Sequence, residues 1–293
     1  MDTQIKYKAF VETVNRGSIT AAAEALKYTQ PGISRMIHTL EEEWGIRLLD
    51  RNKKGVAPTA DGLRIYALCQ KLLEDQNCLD QTIAQIKGSM VGTIRIGAYF
   101  SVLMNWLPNL LERIGNVHPQ LDFQIVEGNA EEQISQLRQN AIDIGFLSSS
   151  APEDFTFIPL YRDPIVVIMP AGHPLTRFER IEPSEIAKYP FLIKPEHSCG
   201  ALKDLLLRQT TLAESHYSVK NDNALLGLVN KGMGIGVVGE MVTQSGTPVE
   251  YRHFEGTYYR TIGVAIPNWK PATPALQSFL QIVCDSYQEA VFQ

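Results

Sequence analysis

A long helical pattern near residue 70 constrains the fold more than any other feature of this sequence. Thr59 is a natural N-cap, and the pattern predicts a helix from there to about Lys87. Its apolar residues recur at heptad-like intervals, interrupted by Asp75 and Gln76. Because no adjacent domain covers this stripe, we expect a partner helix from a second copy of the chain. The stripe consists of Ile65, Leu68, Leu72, Leu79, Ile83 and Ile86.

Two short helices precede this pattern and are suited to cross closely. Apolar residues at helical spacing predict a helix over residues 3–15, which Gly17 ends. Ser18 is a natural N-cap for a second, alanine-rich helix over residues 18–26. Small side chains let two helices approach each other, as a tight helix-turn-helix requires.

A third helix and a hairpin complete this first segment. Thr29 caps the helix, and Pro31 is tolerated in its first turn because its missing N–H would be unpaired there. Short strands expected at 46–49 and 56–58, around a tip at 50–55, predict a wing. The buried stripe of the third helix consists of Ile33, Ile37, Leu40 and Trp44.

After a hinge at 88–92 the pattern changes to strands alternating with helices. The alternation implies an α/β unit with a parallel sheet covered by helices, and about 200 residues suit two such subdomains. We expect one helix near 101–116 after the first strand. Further strands are expected at 191–194 (FLIK) and 217–220 (YSVK).

The charge is unevenly distributed along a globular composition. The apolar fraction is 44% and the formal net charge is −5. Residues 1–66 carry ten Lys and Arg against eight Asp and Glu, so the acidic excess lies in the rest of the chain. Such a mildly basic head suits a DNA-binding module attached to another unit. We expect a cytoplasmic protein without membrane contact, since neither a membrane-spanning run nor a signal peptide is visible.

Patterns that suggest metal, nucleotide or catalytic chemistry have simpler explanations. The segment 234–239 matches GxGxxG, but it reads as a strand after a helix, whereas a dinucleotide site needs the opposite order. Gly232 is better explained as the residue that ends that helix. No catalytic motif is recognisable, so we expect no cofactor, no metal and no enzymatic activity. No CxxC occurs among the scattered cysteines Cys69, Cys78, Cys199 and Cys284.

An ordered series of motifs runs from residue 9 to residue 62. It comprises Gly17-Ser18, Ala21-Ala22-Ala23, Thr29-Gln30-Pro31, Ser34-Arg35, Leu40-Glu41-Glu42, Leu48-Leu49, Arg51 and Thr59-Ala60-Asp61-Gly62. In this order and spacing the series resembles the N-terminal domain of the LysR family of transcriptional regulators. Later segments, such as GTIRIG and LVNKGMGIGVV, are similar to the family's sensor domain. Two positions depart from the pattern: Gly32 replaces the usual alanine, and Gly239 stands where proline is common.

The resemblance implies an α/β fold with an all-α-type winged helix-turn-helix head. The head is expected at 1–58, a linker and dimerisation helix at 59–88, and an effector-binding domain at 92–293. That last domain resembles the two-lobed, type II fold of periplasmic solute-binding proteins. Its lobes are expected at 92–162 plus 266–293 for lobe 1, and at 163–265 for lobe 2.

The third helix carries side chains that are suited to read base edges in the major groove. Arg35 can donate two hydrogen bonds to a guanine, Gln30 can pair with adenine, and Ser34 is adaptable. The resemblance implies that this part of the helix faces DNA, while the wing reaches phosphates or a narrow minor groove. The predicted DNA-binding set is Ser18, Thr29, Gln30, Pro31, Ser34, Arg35, Arg51, Lys53 and Lys54.

In the two-lobed fold a ligand binds between the lobes, at the carboxyl ends of the strands. Ser101 follows the first strand and opens a helix, whose free N–H groups would suit an anion. Tyr99 and Phe100 would instead support an aromatic or neutral ligand. The predicted effector-binding set is Tyr99, Phe100, Ser101, Ser148, Ser149, Pro195, His197, Ser198, Asn221 and Asn223.

Together these patterns predict a sequence-specific DNA-binding transcriptional regulator that is controlled by a small-molecule effector, with an anionic effector favoured. One recognition helix per chain and the apolar stripe predict a dimer or tetramer on a two-fold symmetric site in double-stranded DNA. The alternative is a solute-binding or interaction protein without DNA-directed function. The wing and the recognition helix argue against that alternative.

Overall fold

The chain divides into two units, the first formed by Met1–Gly88 with Lys270–Pro274 and the second by Ser89–Trp269 with Ala275–Gln293. The structure is a computed structural model, and it describes residues 3–52, 55–148, 151–192, 217 and 219–287.

The first unit begins with the three predicted helices and their caps. The Ser18 hydroxyl accepts a hydrogen bond from the Ala21 N–H at 3.3 Å, and the Thr29 hydroxyl accepts one from the Gly32 N–H at 3.2 Å. Each cap satisfies a backbone donor that the helix itself leaves unpaired. The helices are α1 (Thr3–Arg16), α2 (Ile19–Leu26) and α3 (Gln30–Trp44).

The wing that follows starts later than predicted. Its strands are β1 (Leu49–Asn52) and β2 (Gly55–Pro58), paired antiparallel, so the expected strand at 46–49 is wrong. The N–H groups of Leu48 and Leu49 donate to the Glu41 carboxylate at 2.8 and 3.2 Å. The Glu41 side chain of α3 therefore accepts the backbone hydrogen bonds that a partner strand was expected to accept.

The long helix α4 (Ala60–Ile86) matches the predicted one. Its N-cap Thr59 accepts a hydrogen bond from the Gly62 N–H at 2.9 Å, which confirms the predicted cap. A Cβ atom at Gly62 would lie 2.0 Å from the Leu48 carbonyl oxygen. Only glycine therefore allows the residue before β1 and the start of α4 to approach each other this closely.

Most of the predicted apolar stripe on α4 is exposed within the chain. Ile65 is the exception, since it packs against the core of the first unit. An apolar row of this length on one helix is a feature of helices that associate with a partner. Leu63, which was not part of the predicted stripe, is exposed as well. The exposed members of the stripe are Leu68, Leu72, Leu79, Ile83 and Ile86.

Among the described residues, the second unit is built on an eight-stranded sheet, with the strand order β4-β3-β5-β10-β6-β9-β7 and β8 paired to β6. Parallel pairing joins β3 to both β4 and β5, while β10 is antiparallel to β5 and β6. The strands are β3 (Gly92–Ala98), β4 (Leu121–Glu127), β5 (Ile144–Ser148), β6 (Phe155–Met169), β7 (Arg180–Ile181), β8 (Gly236–Gly239), β9 (Glu250–Phe254) and β10 (Tyr259–Pro267).

The mixed sheet corrects the expectation of a purely parallel one. Its two long strands, β6 and β10, run through both lobes. Strand β10 returns from the second lobe and inserts between β5 and β6, and it is antiparallel to both. Residues 262–265 of β10 pair with β5 on one side and with β6 on the other.

The helices of the second unit depart from the predictions at two places. The helix expected near 101–116 is two helices that meet at Trp106, because Pro108 has no N–H to continue an uninterrupted helix. Tyr217 and Val219, from the predicted strand at 217–220, lie in no strand. The helices are α5 (Phe100–Asn105), α6 (Leu107–Val117), α7 (Ala130–Arg138), α8 (Asp222–Asn230) and α9 (Pro274–Tyr287).

Replacing Gly62 with alanine tests the close approach at the start of α4. The added methyl group would collide with the Leu48 carbonyl oxygen, so we expect Gly62→Ala to lower the free energy of unfolding by about 1–3 kcal/mol. Urea unfolding followed by circular dichroism measures this change. The control is Gly115→Ala in α6, where no atom lies within 4 Å and a gain of roughly 0.5–1 kcal/mol is expected. Equal stability of the two variants would contradict the proposed contact.

Candidate functional site

The DNA-facing candidates lie at the N-terminal end of α3. Gln30 and Pro31 are exposed in its first turn, and Arg35 is exposed one turn later, whereas Ser34 is half-buried. The opposite face of the helix is buried in the core of the head. Helix α3 therefore presents its polar N-terminal face outward from a packed support, as a recognition helix must. The buried residues of α3 are Ile33, Met36, Ile37 and Leu40.

The wing is attached to the turn before α2. The Val56 N–H donates to the Gly17 carbonyl at 3.0 Å, and a Cβ at Gly55 would lie 2.8 Å from the same oxygen. Arg51 lies in β1, while the predicted phosphate contacts Lys53 and Lys54 lie outside the described residues. The two other predicted residues of the DNA-binding set, Ser18 and Thr29, act here as helix caps.

The start of α4 is anchored to α1 by a half-buried phenol. The Tyr66 hydroxyl donates to Asn15 and accepts from Gln70. Burial, with added effects of Glu12 and Glu74, raises the pKa of Tyr66 to about 12. Because the phenol stays protonated at neutral pH, this link between the head and the long helix does not depend on pH in the physiological range.

In the second unit, several predicted effector residues come together where the lobes meet. The Tyr99 hydroxyl donates to the Ser148 hydroxyl at 3.1 Å and accepts the Ser148 N–H at 2.5 Å. Burial raises the pKa of Tyr99, so the phenol is neutral. Both residues are buried, and their hydrogen bonds connect the carboxyl ends of β3 and β5.

Ser101 lies beside a buried ion pair that the sequence analysis missed. The Ser101 hydroxyl accepts a hydrogen bond from Arg260 Nη2 at 2.9 Å, and Arg260 Nε donates to Asp163 Oδ2 at 2.7 Å. The other oxygen of Asp163 accepts the Met241 N–H at 3.0 Å. The side chains of Arg260 and Asp163 are 4% and 0% exposed. We call Tyr99, Ser101, Ser148, Asp163, Met241 and Arg260 the interlobe cluster.

The interlobe cluster joins elements of both lobes. Asp163 and Arg260 are direct neighbours on β6 and β10, the strands that cross from one lobe to the other. Ser101 belongs to α5 of the first lobe, and Met241 to a short 3-10 helix (Glu240–Ser245) after β8 of the second. Asn105 strengthens the same link, because its amide donates to the carbonyls of Ser101 and Met241, each at 2.8 Å.

The charges of the interlobe cluster are set by burial and by mutual attraction. Burial lowers the pKa of the Arg260 guanidinium, but Asp163 and Asp222 outweigh this effect and raise it. Burial raises the pKa of Asp163 against the opposing influence of Arg260 and of the Met241 N–H. Arg260 is therefore a permanent buried cation, and a buried charge of this kind requires polar partners.

Gly239, the departure from the family pattern, lies directly against the ion pair. A Cβ atom at this position would be 2.1 Å from Asp163 Oδ2 and 2.5 Å from Arg260 Nε. Any larger residue at position 239 would thus displace the ion pair. This contact is the physical reason for glycine at a position where the family often has proline.

The remaining predicted effector residues lie in different surroundings. Phe100 packs against an apolar cluster of the second lobe around Val166 and Leu225. Asn221 caps α8 by accepting the Ala224 N–H at 2.8 Å, and Asn223 is exposed. The residues that lie outside the described part of the chain are Ser149, Pro195, His197 and Ser198, together with Cys199.

Three charged residues of this region were not among the candidates. Asp163 and Arg260 each stand beside an apolar strand segment, and Asp222 lies between the two asparagines that were named. A charge next to a buried strand is a weak signal, because it usually marks only the end of the strand. The pairing of Asp163 with Arg260 depends on a contact between residues far apart in the chain, which spacing alone does not reveal.

Two further observations concern the described ranges only. The described ranges contain no group of three or more His, Cys, Asp or Glu side chains that could hold a metal ion. No helix within them is both long and apolar enough to cross a membrane.

Family models match the chain in both units. Residues 6–63 match the bacterial regulatory helix-turn-helix protein model of the lysR family, and residues 87–288 match the LysR substrate binding domain. The HTH-type transcriptional regulator BenM of Acinetobacter baylyi is 33% identical over 243 residues, which cover 78% of this chain and 77% of that protein.

Solved structures of regulators share the fold. Full-length OxyR from Pseudomonas aeruginosa superposes with a TM-score of 0.74 at 22% identity, over 98% of this chain and 94% of that one. CbnR in complex with its target DNA gives 0.63 at 19% identity, over 98% and 100%. The effector-binding domain of QuiR in complex with shikimate gives 0.61 at 22%, over 68% and 98%.

A winged helix-turn-helix head with a two-lobed α/β unit defines a DNA-binding regulator that responds to a ligand. The chain belongs to the LysR family of transcriptional regulators. It is a DNA-binding transcriptional regulator with an effector-binding domain, and its family is not one of enzymes.

Alanine at position 239 tests the contact between Gly239 and the ion pair. We expect Gly239→Ala to lower the free energy of unfolding by about 1–3 kcal/mol, because the methyl group displaces Asp163 and Arg260. In an Asp163→Ala background the same change should cost less, with a coupling energy of roughly 0.5–3 kcal/mol in a urea-unfolding double-mutant cycle. The control is Gly227→Ala in α8, which has no atom within 4 Å. Additive effects of the two changes would refute the contact.

Proposed function

We propose that the chain reads a two-fold symmetric DNA site as a dimer or tetramer, with the N-terminal half of α3 in the major groove. The observation that carries this proposal is the exposure of Gln30, Pro31 and Arg35 on a helix whose opposite face is buried. The DNA complex of CbnR, a protein of the same fold, supports it. Since DNA is the partner, we place the protein in the cytoplasm.

Each side chain of this surface has a distinct task in the proposal. Arg35 donates two hydrogen bonds to a guanine, Gln30 pairs with adenine, and Ser34 adapts to either base. Ser18 and Thr29 lie at helix N-termini, where backbone N–H groups face phosphates. Arg51, Lys53 and Lys54 of the wing contact the DNA backbone. A gel shift with the DNA upstream of the protein's own gene tests the proposal as a whole.

Removal of the Arg35 guanidinium should weaken specific binding and relax base choice. We expect Arg35→Ala to cost roughly 1–3 kcal/mol of binding free energy and to relax discrimination at one position of each half-site. Fluorescence anisotropy with a labelled duplex and its single-base variants measures both effects. Arg138→Ala, which removes an exposed arginine of the second unit, is the charge-matched control and should bind like wild type. An unchanged affinity and base preference in Arg35→Ala would exclude this residue.

The proposed oligomer forms through α4. The exposed leucine and isoleucine side chains of α4 would pack against the same side chains of a second chain. This packing would remove them from water. Two heads joined in this way place two recognition helices on one duplex, about one or more helical turns apart.

A charge in the α4 row should separate the subunits. Leu68 and Leu72 are 64% and 54% exposed within one chain, so an aspartate at either position costs little in the monomer. Between two helices the same carboxylate would be buried without a partner. We expect Leu68→Asp/Leu72→Asp to sediment as a monomer, whereas Lys71→Asp, a charge change at an exposed position of the same helix, stays oligomeric. A variant that keeps the wild-type sedimentation coefficient would contradict the interface.

We further propose that a small anionic molecule binds at the interlobe cluster and controls DNA binding. The convergence of Tyr99, Ser101 and Ser148 at the ends of adjacent elements supports this location. The complex of QuiR with shikimate is a parallel for a small ligand in this fold. The roles of Phe100, Asn221, Asn223 and the four candidates outside the described residues stay predictions. A thermal-shift screen of small carboxylates and their uncharged analogues, followed by gel shifts with each hit, tests the proposal.

A further inference from the structure

His38 extends the exposed face of α3 beyond the predicted DNA-binding residues. Gln30, Ser34 and His38 follow one another at intervals of four residues along this helix. The Nε2 atom of His38 lies 3.3 Å from a carboxylate oxygen of Glu42, and both side chains are 66% exposed. Because residues four apart are neighbours on a helix surface, this pair continues the face that carries the predicted base contacts.

Stability gives no reason for the pair of His38 and Glu42. Ion pairs between side chains as exposed as these contribute little to folding, because water screens both charges. The two adjacent glutamates of α3 have structural tasks, since Glu41 accepts the N–H groups before and at the start of β1 and Glu43 pairs with Lys6 of α1. Glu42 instead places a negative charge on the exposed face of the helix. A duplex repels such a charge unless a cation compensates it.

His38 can supply this cation, and its charge depends on pH. Histidine is the side chain that ordinarily gains a proton between about pH 8 and pH 5. Residues 1–117 contain no other histidine. A neutral imidazole leaves the Glu42 charge facing the duplex, whereas an imidazolium compensates it. The charge of the proposed DNA-reading face is therefore lower at high pH than at low pH.

The nearest charges on α3 are Arg35, one turn before the imidazole, and Glu42, one turn after it. Helices α1 and α2 both pack against α3. Helix α1 faces it with Lys6, whose charge Glu43 compensates, and α2 carries Glu24 as its one charged residue. A duplex adds about one negative charge per 1.7 Å of its axis, so the phosphates favour the protonated ring.

We infer that His38 binds a backbone phosphate as an imidazolium, so that DNA binding takes up a proton at His38 of each subunit and tightens as the pH falls through neutrality. The inference rests on the proposed role of α3 and adds a regulation of the same surface. The sign follows from linkage. Because the duplex stabilises the charged ring, the complex retains a proton at a pH where the free protein has lost it, and affinity is higher on the acid side.

The pH dependence of DNA affinity is the direct test. Fluorescence anisotropy of the effector-free full chain with a labelled duplex from upstream of its own gene gives Kd between about pH 6 and pH 8, at constant ionic strength. For wild type we expect Kd to fall towards low pH, by up to about tenfold per pH unit for each proton taken up. A wild-type Kd that is independent of pH would overturn the inference.

Variants at position 38 assign the pH dependence to the imidazole. His38→Gln should lose most of the dependence and bind like wild type at high pH. His38→Lys carries a permanent cation, so it should keep the tight binding of low pH throughout the range. The control is His253→Gln, which breaks a second His–Glu pair, that with Glu240 in the second unit, and should keep the wild-type profile. A wild-type profile in His38→Gln would overturn the inference.

Salt dependence and Glu42 test the contact with phosphate. Each phosphate that a cation neutralises contributes about −0.9 to the slope of log K against log salt concentration. The wild-type slope should therefore be steeper near pH 6 than near pH 8 by about one per subunit, and His38→Lys should show the steeper slope at both. Glu42→Gln should bind more tightly than wild type near pH 8, because it removes the repelled charge. Equal wild-type slopes, or no gain in Glu42→Gln, would overturn the inference.

Arg35→Ala separates this inference from the proposed function. If Arg35→Ala weakens specific binding while His38→Gln keeps the wild-type pH profile, α3 reads DNA without a proton-linked contact, and the inference alone fails. If Arg35→Ala and His38→Gln both bind like wild type at every pH, the proposed role of α3 fails together with the inference.

Discussion

The second unit depends on the buried attraction between Asp163 and Arg260. These residues sit side by side on β6 and β10, at the place where the sheet passes from one lobe to the other. Neither charge is stable there alone, since an unpaired ion inside a protein loses its hydration without compensation. The partners that complete the site come from α5 and from the 3-10 helix after β8, so the arrangement of both lobes around the crossing follows from one electrostatic requirement.

This requirement also explains a departure from the family pattern. A proline or any other residue at position 239 would occupy the space of the Asp163 carboxylate and of Arg260 Nε. Glycine at this position and the ion pair therefore depend on each other.

The head was predictable from the sequence because its signals are local. The caps at Ser18, Thr29 and Thr59 each act on a backbone group three residues away, and the positions around α3 follow a helical period. The wing strand was misplaced because the Glu41 side chain, seven residues upstream, satisfies the backbone of Leu48. Such a side-chain contact with the backbone leaves no trace in hydrophobic spacing.

The second unit was predictable only in outline, because its decisive contacts join distant parts of the chain. Alternating strands and helices indicated an α/β fold. Tyr99, Ser101 and Ser148, which the sequence predicts to bind the effector, lie where the lobes meet. The hydrogen-bond partner of Ser101, Arg260, lies 159 residues away in the sequence. The mixed sheet was missed for the same reason, because β10 lies between β5 and β6 but comes from a distant part of the sequence.

Hydrogen exchange followed by mass spectrometry is the most direct test of the claim that this ion pair organises the lobe junction. Peptides covering 99–105, 240–245 and 259–262 would be compared between wild type and Asp163→Asn, which keeps the shape of the side chain and removes its charge. If the account is correct, all three segments lose protection together, the amide of Met241 among them, while peptides of the head at 3–52 are unchanged. Loss of protection confined to the peptide that contains position 163 would contradict the account.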